Sequence, residues 1–288
     1  MDFHAVDAAE IASEVASELD DTPRMMTDLA IQTAEGDKPM VETIHRGPLS
    51  WLTYLNWDGQ FYKINEEVVD EGRVSGPEYV LSRDSETENL SPDDSLSFAN
   101  LPRHDQWRVS EAADFNIEHL GGMRFSIPFI AGYLDATDQD ESVLAAGVDE
   151  PVIEANGSIA ELKRTGKGDD TAQRFRYTAG PVFEDVSSFS EYVLDRRGST
   201  SFDPSDEVRI LLDEVKENDG HLTICDQDTS EDKEAAKRRR NAASDLKTMF
   251  TSLKEASDRE KDSDSEPLEY VRYEGDWHYI DVSRSHGV

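Results

Sequence analysis

The chain has 288 residues, with 29 Lys+Arg against 63 Asp+Glu and a formal net charge of -34. That length suits one or two domains of roughly 100–200 residues, and no apolar run approaches the roughly 18 residues that would span a bilayer. A single cysteine, Cys225, excludes an intramolecular disulfide framework and a multi-Cys zinc site.

The opening Met1-Asp2-Phe3-His4 lacks the basic and apolar regions of a Sec-type leader, so a cytoplasmic protein is expected, or a virion component if its origin is viral. The acidic residues are spread along the chain, while 11 Phe, 9 Tyr and 4 Trp sit in patterned positions, which argues against disorder. Self-repulsion on this scale destabilises a compact chain at low ionic strength. In molar salt the Debye length falls to about 3 Å and most of it is screened. The composition reads as that of a salt-in halophile.

Residues 5 to 35 predict two helices. Ala8, Ile11, Ala12, Val15 and Leu19 make one apolar stripe, and Thr22-Pro23 offers a cap and first residue for a second helix that Gly36 stops. Tyr54 to Asn65 predicts a β-hairpin, because Asp58-Gly59 suits the positive φ angles of a type I′ turn. That turn sets Leu55 opposite Tyr62 and Thr53 opposite Ile64. A helical stretch follows Ser97 to Pro102 and ends at Gly121-Gly122. Arg174 to Phe183 is a weaker third hairpin candidate. Asp203-Pro204 starts a helix carrying Val208, Leu211, Leu212 and Val215, stopped by Gly220. His221 to Cys225 reads as a short buried strand, and residues 231 to 256 as a helix with Leu246, Met249, Phe250 and Leu253 inward. Tyr270 to Asp281 repeats the aromatic hairpin pattern around Glu274-Gly275.

The expected class is α+β, an antiparallel or mixed sheet built from aromatic hairpins and packed with helices. The recurring hairpins, with the helices that precede them, suggest internal duplication. Three segments are expected: a helical hairpin over 1–38, an α+β domain over 39–195, and a repeat unit over 196–288. Polar linkers are expected at Ser82–Ser95, Asp135–Ser142 and Ser257–Glu266. The Pro-initiated helix from Asp203-Pro204 to Val215 and the terminal hairpin Tyr270 to Ile280 resemble haloarchaeal proteins of no assigned activity. The resemblance covers about the last third of the chain and implies origin and fold alone.

Recognisable chemistry is sparse. Asp226 to Asp232 begins like a calcium loop but has Glu231 where glycine is needed and Lys237 where a bidentate Glu belongs. The seven histidines include no i, i+4 pair, and His278 is expected to be partly buried and hydrogen-bonded opposite Val271. Asn156-Gly157-Ser158-Ile159-Ala160 fails a nucleophile elbow at its last position. Arg164 to Asp169 lacks the first glycine and the Ser/Thr of a phosphate loop, and reads as a flexible turn. No catalytic, cofactor-binding or metal-ligating residue is assigned.

Two surfaces are candidates. Tyr54, Phe61, Tyr270, Trp277 and Tyr279 lie opposite the predicted core stripes of their hairpins, which requires helices on both sides or a protein partner, self or other. Lys233, Lys237, Arg238, Arg239, Arg240 and Lys247 form a basic helix in an acidic chain. It pairs with nearby carboxylates or, as the alternative, lies against nucleic-acid phosphates, a contact that salt weakens steeply. The function expected is non-enzymatic binding or assembly without a membrane. A carboxylate-based, metal-dependent enzyme is the further alternative, marked by a narrow cleft of acids with raised pKa values.

Overall fold

The structure, a computed structural model, describes residues 1–83, 95–115, 117, 124–148, 152–155, 157–222, 233–260 and 268–281. The chain forms two compact units, Met1–Val15 with Phe183–Val288, and Ala16–Val182. These boundaries differ from 38 and 195. Strand β1 (Asp2–Ala5) and helix α1 (Ala8–Val15) belong to the first unit, whereas α2 (Arg24–Ala34) belongs to the second. Residues 1–38 are therefore not a helical hairpin of their own. Met25, Met26, Leu29 and Ala30 of α2 are drawn into the large apolar core of the second unit. Helix α2 starts one residue later than expected, with Pro23 in the cap position.

The second unit holds β2 (Met40–Thr43), β3 (Tyr54–Trp57), β4 (Gln60–Arg83), β5 (Leu96–Ser97), α3 (Arg103–Ala112) and β6 (Phe125–Ile130). It continues with α4 (Ala136–Glu141), α5 (Val143–Ala146), β7 (Val152–Ala155) and β8 (Ser158–Phe183). Its seven-stranded sheet runs β3-β4-β8-β7-β5, with β2 added to β8 and β6 added to β4. The two long strands organise it. Facing side chains are bonded from Ser82–Glu161 at one end, through Arg73–Asp169 and Gln173–Glu71, to Tyr177–Glu66. One number rises as the other falls, so the pairing is antiparallel over nearly the full length. Ends of the ribbon are widened by β3, β6, β2 and β7.

This ribbon overturns two local expectations. Arg174 to Phe183 is no hairpin but the end of β8, and Arg164 to Asp169 is no turn but its middle. Asp135–Ser142 is no linker either, since Asp135 accepts from the Thr137 backbone N–H and caps α4.

The first unit contains β1 and α1, then α6 (Val186–Arg197), β9 (Gly198–Ser199), α7 (Asp206–Glu217), α8 (Lys233–Glu260), β10 (Tyr270–Tyr273) and β11 (Asp276–Asp281). Its four-stranded sheet runs β1-β11-β10-β9. The cap of α7 is Ser205, not Asp203. The Ser205 hydroxyl accepts from Val208 N–H at 3.5 Å, and Asp203 instead accepts from Arg209 at 2.8 Å. Side-chain alternation divides the sheet cleanly. Phe3, Val271, Tyr273 and Ile280 face one way and form a core with Val208, Leu212 and Val215 of α7 and Leu246 of α8. Tyr270, Trp277 and Tyr279 face the other way. There Tyr270 donates to Glu14 of α1 at 3.4 Å, and α1 lies against α6. The sheet is thus covered on both faces.

The class is α+β. Both hairpins turn on two positive-φ residues, Asp58-Gly59 and Glu274-Gly275, and the registers Leu55–Tyr62 and Val271–His278 are those the turns dictate. Internal duplication is not seen. The first hairpin runs on into a 24-residue strand and the second into six residues, so their likeness stops at the turn.

His278 is buried in the first unit, stacked on Phe3 with ring centroids 4.6 Å apart and with its Nδ1 3.3 Å from Asp276 O. Burial holds its pKa below the ordinary value, and Lys216 pushes the same way, while Asp276 and Glu274 oppose them. Below about pH 6.5 the unfolded chain therefore takes a proton that the folded chain refuses. Stability from this group is full above that pH and falls as pH drops through the lower folded value. His278→Phe is expected to flatten that portion of the curve. Urea unfolding of both proteins between about pH 7.5 and 5.5 checks this.

Candidate functional site

Helix α3 of the second unit carries Asp105, Arg108 and Glu111 at i, i+3 spacing, which sets them along one face. The guanidinium of Arg108 is fully buried. It donates to Glu42 at 3.1 Å, to Gly132 O at 2.9 Å and to Glu111 at 3.4 Å, and lies over the Tyr133 ring. Glu42 also accepts from Arg174 at 3.1 Å and from Leu134 N–H, and Glu111 accepts from the backbone N–H groups of Ile44 and His45. Asp105 accepts from the Tyr133 and Ser142 hydroxyls and from the Val143 and Leu144 N–H groups. Burial, reinforced by Asp105, holds the Tyr133 hydroxyl well above its ordinary pKa.

These carboxylates are saturated with donors, so the network braces α3 against β2, β8 and the segment after β6. A cleft of about 250 Å³ lies beside it, walled by Ile44, Ala112, Ile127, Pro128 and Phe129 with Arg108 in its lining. Sequence reading did not single out Arg108, Glu42, Glu111 or Asp105. The only local signal was three charges on one helix face, and their partners are far away in the chain.

Among the described residues, raised carboxylates do not gather in a cleft. Glu66 is pushed up by burial, whereas Asp135, Asp169 and Asp185 are held down, chiefly by hydrogen bonds to Thr137, Ser75 and Ser188 respectively. No group of three or more His, Cys, Asp or Glu side chains that could hold a metal ion occurs among the described residues. Cys225 and Asp226 to Asp232 lie outside the described residues.

Of the two alternatives for the five aromatics, helices on both sides or a partner, burial favours cover within the chain for three. Tyr54, Phe61 and Tyr270 are buried, and Trp277 and Tyr279 are half-buried. For Tyr270 the reason is the second layer, because α1 with α6 against it roofs the face opposite the core. Cover is incomplete around Trp277 and Tyr279, and Trp277 lines a concavity. Ala5, Val6, Ile11, Ser190, Leu194 and Trp277 contribute to a groove of about 560 Å³ between α1, α6 and the β10–β11 turn. Gly198 leaves room for the indole, since a Cβ there would stand 2.9 Å from two of its ring carbons.

The chain matches no family model, no curated protein and no solved structure in the three comparisons made.

The groove is rimmed by Asp7, Glu10, Glu191 and Asp276, with Arg272 as its one basic residue. Asp7 and Glu10 form a reciprocal cap on α1. Asp7 accepts from Ala9 and Glu10 N–H, and Glu10 accepts from Asp7 N–H at 2.8 Å. The caps fix two charges at the groove mouth. None of the four carboxylates pairs with Lys or Arg among the described residues.

The basic helix is α8. Ala236, Ala242 and Leu246 face inward, with Met249, Phe250 and Leu253 packed beside them. Arg239 pairs with Glu214 of α7, its Nε donating at 2.8 Å, so one of the six basic residues does bind an internal carboxylate. Arg240 Nε reaches Ala236 O of its own helix. Lys237, Arg238 and Lys247 are exposed and pair with no carboxylate among the described residues. Lys233 opens the helix.

Proposed function

We propose that the protein acts by binding another macromolecule in the Trp277 groove, as an interaction or assembly component of a salt-in halophile, in its cytoplasm or in a virion. The observation that carries this reading is a half-covered indole lining a groove whose rim is set with carboxylates. An aromatic floor with a charged rim is the usual anatomy of a docking site. No helix among the described residues is long and apolar enough to cross a membrane, which agrees with a partner met in solution.

The test is retention of partners on the immobilised full chain in about 2–3 M KCl, a range chosen for screening. Trp277→Ala is expected to lose what the native chain holds while its thermal unfolding stays cooperative. Equal retention by both proteins would overturn the reading. A second reading, nucleic-acid association, draws on exposed Lys237, Arg238 and Lys247. It expects retention on duplex DNA to fall when the three are replaced by Gln, most visibly at low salt.

A further inference from the structure

We infer that the occupant of the Trp277 groove is the basic helix α8 of a second copy of this chain, so that copies join head to tail. This rests on the groove being a docking site, and adds the identity of what docks.

Charge complementarity carries the argument. In a chain of net charge -34, most surfaces repel a second copy. The segment Lys233–Lys247 has six basic and two acidic residues and is the local exception. Lys237, Arg238 and Lys247 project from α8 without a carboxylate partner among the described residues. The groove offers the complement, with Asp7, Glu10, Glu191 and Asp276 around Trp277. A Lys or Arg entering it lays its aliphatic stem and cationic head on the indole and sends its donors to the rim. Cation–π and ion-pair contacts are then made together, in a partly desolvated site.

Geometry fixes the mode of assembly. Within the first unit, α8 belongs to the core on the Phe3, Val271 and Ile280 face of the sheet. The groove opens on the other face, where Trp277 meets α1 and α6. One copy cannot fill its own groove with its own α8. Nor can two copies exchange helices reciprocally through one shared patch. The contact is therefore heterologous, and it propagates into a ring or an open chain.

The experiment is light scattering on the full chain across a concentration series, in about 0.15 M and about 2 M KCl. The native protein is expected to exceed its 32.3 kDa monomer mass as concentration rises. Lys237→Glu with Arg238→Glu and Lys247→Glu is expected to stay monomeric. So is Glu191→Lys with Asp276→Lys, which leaves the α1 cap intact. Mixing the two variants makes each helix complementary to the other's groove and is expected to restore the higher mass. A native chain that is monomeric at every concentration overturns the inference, as does assembly indifferent to both variants.

Titrating a synthetic peptide of residues 233–247 against the difference in tryptophan emission between the native chain and Trp277→Phe, which isolates Trp277 from the other three tryptophans, separates the two proposals. Quenching lost in the Glu191→Lys/Asp276→Lys variant, together with a monomeric native chain, keeps the groove as a docking site for a foreign cationic partner and removes self-assembly. No quenching removes both. A monomer that retains duplex DNA through Lys237, Arg238 and Lys247 overturns self-assembly in favour of nucleic acid.

Discussion

Replacing Arg108 by methionine is expected to cost the Ala16–Val182 unit about 3–5 kcal/mol, the penalty for removing one partner of a buried ion network. Methionine fills much of the volume but leaves Glu42 and Glu111 facing each other without the guanidinium between them. Glu42 keeps Arg174 and Leu134 N–H, and Glu111 keeps two backbone donors, so the unit is weakened at a defined place. Gly132 O also loses its donor. Adding Glu42→Gln and Glu111→Gln is expected to recover part of the loss, because the uncompensated charges go with the substitution. Urea unfolding of the single and triple variants checks both expectations. A single variant within about 1 kcal/mol of the native protein would show that the network contributes little.

Gly76→Ala is expected to destabilise the same unit by about 3 kcal/mol or more, at the upper end of overpacking costs. A Cβ at this position would stand 2.0 Å from the Ala131 carbonyl oxygen. The obstacle is backbone, which cannot rotate away. Gly132 is confined less tightly, a Cβ there standing 2.9 Å from Ser75 O. The two glycines let β4 and the segment leaving β6 cross closely, and Ala131 N–H donates to Pro77 O there at 2.9 Å. Forcing them apart also shifts Gly132 O away from Arg108. Gly157→Ala is the contrast in room, since nothing lies within 4 Å of its Cβ position. Its positive φ still strains an alanine there, so a smaller loss is expected. Equal losses in urea unfolding would show that close approach at Gly76 is not the cause.

The local features of the fold were legible. Asp58-Gly59 and Glu274-Gly275 specify tight turns, and once the turn is set the facing pairs follow. The inward residues of α8 follow from helical spacing. What was not legible depends on distant partners. The run Glu66-Glu67-Val68-Val69-Asp70-Glu71 has no alternation, and its extended form is imposed by β8, whose residues Tyr177 and Gln173 lie 111 and 102 positions away from the partners they bond. Arg108 meets Glu42 across 66 positions. No periodicity records such a meeting.

The groove was half legible. Trp277 was singled out for a face that needs either a covering helix or a partner, and it lines a concavity. The Asp7-x-x-Glu10 capping pattern was readable at its edge. The complete cover of Tyr54, Phe61 and Tyr270 was not, because hairpin alternation tells which side chains share a face and not whether that face is roofed. The expected choice for the basic helix was mixed in outcome: Arg239 found an internal carboxylate, while Lys237, Arg238 and Lys247 did not.

The pairing of β1 with β11 bears on how the chain emerges during synthesis. Phe3 faces Ile280, and at about 5–20 residues per second the wait between making the two is about 15–55 s. The Ala16–Val182 unit is contiguous and has all its strands long before then. For that interval the apolar side chains of β1 and α1, Phe3 and Ile11 among them, have no sheet to join. A nascent chain paused before β11 should therefore expose its first residues to proteases and to chaperones, and should lose that exposure as the final hairpin arrives.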